Sequence, residues 1–119
     1  MEECSPENCP CKENCMNQRF QRAEYCKLKV FSTKEKGFGI LADQFIHKGD
    51  FVIEYVGEVI EHDEFCDRMN DADDDRHYYI ISIGNSKYVD ATRKGNLGRF
   101  INHSCNPNCI PEIWYVQYY

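Results

Sequence analysis

Apolar and polar positions alternate in short runs over most of the chain, and this pattern predicts strands more often than helices. Leu28 to Phe31 has alternating apolar character and predicts a strand. Gly37 to Leu41 predicts a second strand, punctuated by glycine. Phe51 to Ile60 carries the strongest β signal, through Phe51, Val52, Ile53, Tyr55, Val56, Val59 and Ile60. Gly57 inside that run predicts a bulge or a close backbone approach. His62 to Met69 predicts a short helix, with Phe65 and Met69 four apart on one face. Asn70 to Asp75 reads as an acidic, solvated loop. Tyr78 to Ile83 and Lys87 to Val89 predict a hairpin around Gly84-Asn85. Gly95 to Ile101 predicts one or two helical turns. Short strands with small helices imply a mainly β fold, not a doubly wound one.

Three regions differ in character. Residues 1–26 are cysteine-rich, lack apolar periodicity and need a staple to become ordered. Residues 27–110 read as the globular body, and Ile113 to Tyr119 is an aromatic tail. At 119 residues, one domain with a modest core is the most the chain supports. Its formal net charge of −6 argues against a binder of nucleic-acid backbones and suits a Lys/Arg-rich partner, although plain solubility accounts for it equally well. No secretory signal follows Met1-Glu2-Glu3, and no apolar stretch approaches a membrane span. The eight cysteines are therefore expected as thiols or metal ligands before disulfides.

Cys4-x4-Cys9-x-Cys11-x3-Cys15, followed by Cys26, is the densest chemistry in the sequence. Zinc takes four tetrahedral ligands, and closely spaced thiolates supply them at little chain-closure cost. A structural site contributes on the order of 10 kcal/mol, enough to order a coreless segment. Disulfides and a redox centre are the other readings, and no thioredoxin-like βαβ pattern surrounds the cluster. Two decoys fall away. Gly37-Phe38-Gly39-Ile40-Leu41-Ala42 fits the dinucleotide pattern, but no room remains for the helix that pattern must open. Ser104, His103 and Asp90 suggest a hydrolase, yet adjacent Ser and His cannot easily face each other and there is no G-x-S-x-G elbow.

Arg99-Phe100-Ile101-Asn102-His103-Ser104-Cys105-Asn106-Pro107-Asn108-Cys109 resembles the signature segment of SET-domain protein lysine methyltransferases. Four further stretches extend the resemblance over nearly the whole chain: Lys36-Gly37-Phe38-Gly39, Glu54-Tyr55-Val56-Gly57-Glu58-Val59-Ile60, His77-Tyr78-Tyr79, and Val89-Asp90-Ala91-Thr92 through Gly95-Asn96. The resemblance implies a β-clip-like SET fold with S-adenosylmethionine and zinc as cofactors. It implies that Lys36, Gly37, Phe38, His77, Tyr78, Arg99, Asn102 and His103 meet the methyl donor. It implies that Tyr78 or Tyr79 lines the channel of the target lysine. That chemistry needs a neutral amine, whereas a free lysine titrates at about 10.4. A desolvated aromatic channel disfavours the ammonium form, and aromatic faces also accept a sulfonium.

Glu3-Cys4-Ser5-Pro6 through Cys15-Met16-Asn17-Gln18-Arg19-Phe20-Gln21 resembles the latter part of the AWS zinc segment that precedes one subgroup of SET domains. Cys4, Cys9 and Cys15 match ligand positions of that segment; Cys11 is an additional cysteine whose ligation stays open. Cys105 matches a cysteine that shares a zinc with a post-SET motif in the family. The expected division is residues 1–26 as a partial AWS-like segment and 27–119 as a SET domain lacking its C-terminal part and post-SET, so that this chain by itself is weakly active or inactive. The subgroup methylates histone H3 at lysine-36. This implies the H3 tail in nucleosomes as partner, nucleic acid only through the nucleosome, no membrane, and location in the nucleus on chromosomes. A non-catalytic, zinc-stabilised module that binds a basic histone tail is the alternative.

Overall fold

The computed structural model describes residues 1–7, 9–34, 37–71 and 78–115. Strands β1 (Leu28–Ser32) and β2 (Phe38–Ala42) pair antiparallel, with Leu28 opposite Ala42 and Ser32 opposite Phe38. A second sheet holds β3 (Glu58–Glu61), β4 (Ile80–Gly84) and β5 (Lys87–Asp90), with β5 central and both pairings antiparallel. One helix, α1 (His62–Asn70), follows β3 and packs on β3 and β5. Short 3-10 turns lie at Lys12–Asn14 and Leu97–Phe100. The mainly β character follows from the alternation in the sequence. No helix among the described residues is long and apolar enough to cross a membrane.

The helix over His62–Asn70 follows the spacing of its apolar face. Phe65 stacks on Tyr88 of β5 with ring centroids 4.2 Å apart. Asp63 and Glu64 in its first turn and Arg68 in its last suit the helix dipole. The hairpin also forms, but its corner lies one residue later than Gly84-Asn85 suggests. Asn85 (φ 50°) and Ser86 (φ 57°) are the two central residues of the turn. Both sit in the left-handed region, which a two-residue turn needs to match strand twist. Serine is an uncommon choice there, so the sequence pointed to the preceding glycine. Of the predicted acidic loop, residues 72–75 lie outside the described residues.

The run Phe51 to Ile60 is a correction. Only Glu58–Glu61 joins a ladder. The stretch ahead of it gives its carbonyls to other partners. Val52 accepts from the Cys26 amide at 2.8 Å, Phe51 from the Cys26 thiol at 3.3 Å, and Glu54 from the Asn96 side chain at 2.8 Å. A side chain at Gly57 would place its Cβ 2.6 Å from the Asp90 carbonyl oxygen. The glycine therefore marks a close approach of two backbones.

The core is small. Ile60 and Ala91 are buried in the body, and Cys9 and Cys15 in the N-terminal segment. Aromatic contacts join the two regions: Phe20 lies 4.6 Å from Phe51 and 5.6 Å from Trp114, ring to ring. The buried Glu3 carboxylate accepts from the Phe20 amide at 2.7 Å and from the Gln21 side chain at 3.0 Å. An isolated parallel bridge between Glu2 and Tyr115 ties residues 1–3 to the chain beyond the signature segment.

Candidate functional site

Two clusters carry chemistry. The first is a thiol group in the N-terminal segment. The ligand atoms of Cys4, Cys9 and Cys15 all lie within 4.8 Å of one another. Backbone turns assemble them: Lys12 donates to the Cys9 carbonyl at 3.1 Å, and Cys15 to the Lys12 carbonyl at 3.2 Å. Asn17 grips the cluster from one side. Its amide donates to the Cys15 sulfur and its side chain to the Cys4 sulfur, each at 3.4 Å. N–H donors aimed at sulfur favour the thiolate, which is the metal-binding form.

Crowding divides the thiols. Cys9 is pulled below the usual thiol range, first by a backbone hydrogen bond at Cys11 and then by Cys15. Cys15 is pushed up, because the Cys9 thiol, burial and Cys4 together outweigh the Asn17 amide that pulls it down. Three thiols competing for protons in one pocket suit a soft cation. Tetrahedral zinc with Zn–S bonds of about 2.3 Å needs sulfurs ~3.8 Å apart, which sulfurs all within 4.8 Å of one another can meet. The donor set thus fits zinc and leaves one coordination position open. Cys11 is exposed and stands outside the group. Cys105 is exposed too, with its sulfur 3.8 Å from His103 Nε2. Cys26 belongs to the body, where burial, followed by the charges of Asp50 and Cys109, pushes its thiol up.

The second cluster lies where β2, the 78–79 segment and the Leu97–Phe100 turn meet. The Phe100 ring is 5.7 Å from Phe38 and 5.7 Å from Tyr79. The Arg99 guanidinium lies 5.4 Å from the Tyr79 ring centroid and 4.8 Å from that of Phe100. Asn102 donates from its side chain to the Phe38 carbonyl at 3.2 Å, drawing the signature segment onto β2. A Cβ at Gly39 would meet the Phe31 ring at 2.8 Å and Asn102 Nδ2 at 3.2 Å, so a side chain there would have to displace both. Gly37 sits at φ 71°, and its carbonyl accepts from the Thr33 amide at 2.6 Å.

Tyr78 and Tyr79 are half-buried. The Tyr79 amide donates to Thr92 Oγ1 at 3.3 Å, and its carbonyl accepts from the Ala91 amide at 2.8 Å. The Tyr78 hydroxyl is buried and has no hydrogen-bond partner among the described residues. A buried phenol without a partner costs free energy unless something arrives to bond it. This orphan fits a small polar ligand or a substrate amine. His103 is exposed at the rim. Lys36 and His77, also expected at the cofactor, lie outside the described residues.

An ion pair that no sequence motif marks holds the turn after β5 in place. Arg68 of α1 donates to the buried Asp90 at 2.6 Å and to Glu58 at 3.3 Å. Asp90 in turn accepts from the Thr92 amide at 2.8 Å. Asp90-Ala91-Thr92 carried a readable sign of that turn, since Asp bonds the backbone two residues on. The Arg68 link had none. Burial, followed by the Asp90 charge, pushes the Tyr55 phenol up to about 12 and keeps it protonated.

Comparison with known proteins gives this geometry a family. The SET domain matches residues 37–118 and the AWS domain residues 1–23. The chain is 50% identical over 116 residues to the Gibberella zeae protein named histone-lysine N-methyltransferase, H3 lysine-36 specific, covering 96% of this chain and 13% of that one. A Candida albicans protein of the same name is 47% identical over 116 residues, covering 96% of this chain and 14% of that one. The chain therefore spans only about an eighth of the length of these curated relatives. The methyltransferase domain of human histone-lysine N-methyltransferase SETMAR superposes with a TM-score of 0.85 at 36% identity, covering 98% of this chain and 44% of that one. The aromatic cluster around Arg99 and the thiol group at Cys4 thus lie within the SET and AWS matches, and the chain belongs to the SET-domain family.

Proposed function

We propose that this chain carries the methyl-transfer site of an S-adenosylmethionine-dependent histone-lysine methyltransferase acting on histone H3 at lysine-36 in nucleosomes, in the nucleus on chromosomes. The observation that carries this reading is the Tyr78–Tyr79 segment, where the Tyr78 hydroxyl is buried with no hydrogen-bond partner among the described residues and the Tyr79 ring meets Phe100 and Arg99. S-adenosylmethionine, when bound, supplies a methyl group activated on a positively charged sulfur. Lys36, Gly37, Phe38, His77, Tyr78, Arg99, Asn102 and His103 would hold it. Gly37 in the left-handed region and the Asn102 contact to the Phe38 carbonyl suit a ligand lying along β2.

Tyr78 and Tyr79 are the proposed catalytic residues. The aromatic walls exclude water from the lysine amine and favour its neutral form. The Tyr78 oxygen accepts a hydrogen bond from that amine and aligns its lone pair for in-line displacement. Residues 1–26 form the proposed AWS-like segment and 27–119 the SET domain. Cys4, Cys9 and Cys15 hold zinc in the former, with Cys11 and Cys105 as further candidate ligands.

Methyl transfer from labelled S-adenosylmethionine to recombinant nucleosomes, with the product mapped by mass spectrometry, tests the proposal. Label at H3 lysine-36 supports it, and label elsewhere overturns the site assignment. The net charge of −6 favours one second reading, a non-catalytic module that binds a basic histone tail. Tail binding unaffected by Tyr78→Phe, with no transfer by either form, is the outcome that reading expects.

A further inference from the structure

Two side chains of α1 and one of β5 form a nucleophile, a base and an orienting group. The Cys66 sulfur lies 3.6 Å from His62 Nε2, and His62 Nδ1 lies 3.2 Å from the Tyr88 hydroxyl oxygen. Residues four apart on a helix share a face, which brings Cys66 and His62 together. Tyr88 is fixed in turn by its 4.2 Å stack on Phe65, with only 6° between the ring planes. Cys66 is half-buried and His62 is exposed, so a small molecule reaches the sulfur.

We infer that Cys66 is a reactive thiol, activated by His62, and that it is a site of oxidation by a small uncharged peroxide. Both ring nitrogens face atoms that accept hydrogen bonds. Protonated His62 therefore satisfies both of its N–H groups, one on the sulfur and one on the Tyr88 oxygen. Moving the thiol proton to the imidazole leaves a thiolate–imidazolium pair with no net charge. The same helix carries the carboxylates of Asp63, Glu64 and Asp67. They repel anions, and this favours hydrogen peroxide over the anionic glutathione disulfide.

In the reaction the thiolate sulfur attacks one peroxide oxygen and the O–O bond breaks. The leaving hydroxide takes the imidazolium proton and departs as water. Thiol and peroxide thus become sulfenic acid and water, with the sulfur oxidised and the peroxide reduced. None of this depends on the methyltransferase reading.

Zinc-loaded protein is treated with hydrogen peroxide, sulfenic acid is trapped with dimedone, and the rate at each cysteine is read by peptide mass spectrometry. Exposed Cys109 serves as the internal reference. Cys66 is expected to be labelled about tenfold faster than Cys109. His62→Gln should bring Cys66 down to the Cys109 rate, and Tyr88→Phe should lower it part of the way. An unchanged Cys109 rate and circular dichroism spectrum show that each variant is folded. A Cys66 rate at or below that of Cys109, or one that His62→Gln leaves unchanged, overturns the inference. Glutathione disulfide modifying Cys66 faster than peroxide does would overturn the choice of electrophile.

Discussion

The Arg68 guanidinium lies 2.6 Å from the Asp90 carboxylate, whose side chain is only 4% exposed. This ion pair fastens α1 to the turn that carries Thr92, and Thr92 receives the Tyr79 amide. Glu58 and Glu64 complete the set of acids around the arginine and hold it firmly protonated. Removing one member of a buried pair leaves a desolvated charge behind. Arg68→Ala is therefore expected to destabilise the fold by about 3 kcal/mol. Urea unfolding followed by circular dichroism measures this.

The same pair predicts an acid limit. Burial pulls the Asp90 carboxyl up, but hydrogen bonds from Thr92 and Arg68 outweigh it and hold the group below the usual range. Glu58 is lowered as well, first by its hydrogen bond to Arg68. A carboxyl lowered in the folded state stabilises the fold fully above its unfolded value of about 4, and that stability is lost as pH falls through the folded value. Unfolding free energy should hold steady from neutral pH to about pH 5 and then fall. In Arg68→Ala the fall should be shallower, as a pH series of urea titrations would register.

The thiol group predicts a metal dependence with a sharp internal contrast. Cys9→Ser and Cys15→Ser should each lower bound zinc, because both sulfurs lie in the cluster with Cys4. Cys11→Ser should leave zinc content near that of the parent, because Cys11 stands exposed outside that cluster. Elemental analysis of the purified variants reads this directly. Chelation should also release the Phe20–Trp114 contact and shift the tryptophan emission.

Tyr78→Phe removes a hydroxyl that has no partner among the described residues, so stability should hold or rise slightly. Methyl transfer should fall by about 10²-fold if that oxygen aligns the amine. A thermal melt alongside a labelled-methyl assay separates the two effects.

Gly57→Ala tests the crossing of backbones. Its Cβ would lie 2.6 Å from the Asp90 carbonyl oxygen and 2.8 Å from a Val89 methyl. Backbone cannot yield as a flexible side chain does, so a loss of about 2 kcal/mol is expected. The melting temperature should drop accordingly, with the effect largest on β3 and β5 in hydrogen exchange.

Sequence by itself determined the elements whose signals are local. The alternation at Leu28 to Phe31, the four-residue spacing of Phe65 and Met69, and the turn residues after β4 each act over a few positions, and the corresponding strand, helix and hairpin formed. The motif around Asn102 and the cysteine spacing from Cys4 to Cys15 also carry the family, and both lie within the SET and AWS matches. Tertiary structure decided the rest. Residues 51–57 look like a strand by composition, yet their carbonyls are taken by Cys26 and Asn96, far away in sequence. Spacing alone leaves Cys9 and Cys11 both as candidate ligands, and the fold of the turn puts the Cys9 sulfur in the cluster and leaves Cys11 exposed. The clamp from Arg68 through Asp90 to Tyr79 joins residues with no shared pattern. Periodicity encodes which face of an element is apolar. Which distant polar groups meet depends on how the elements pack, and no local signal carries that information.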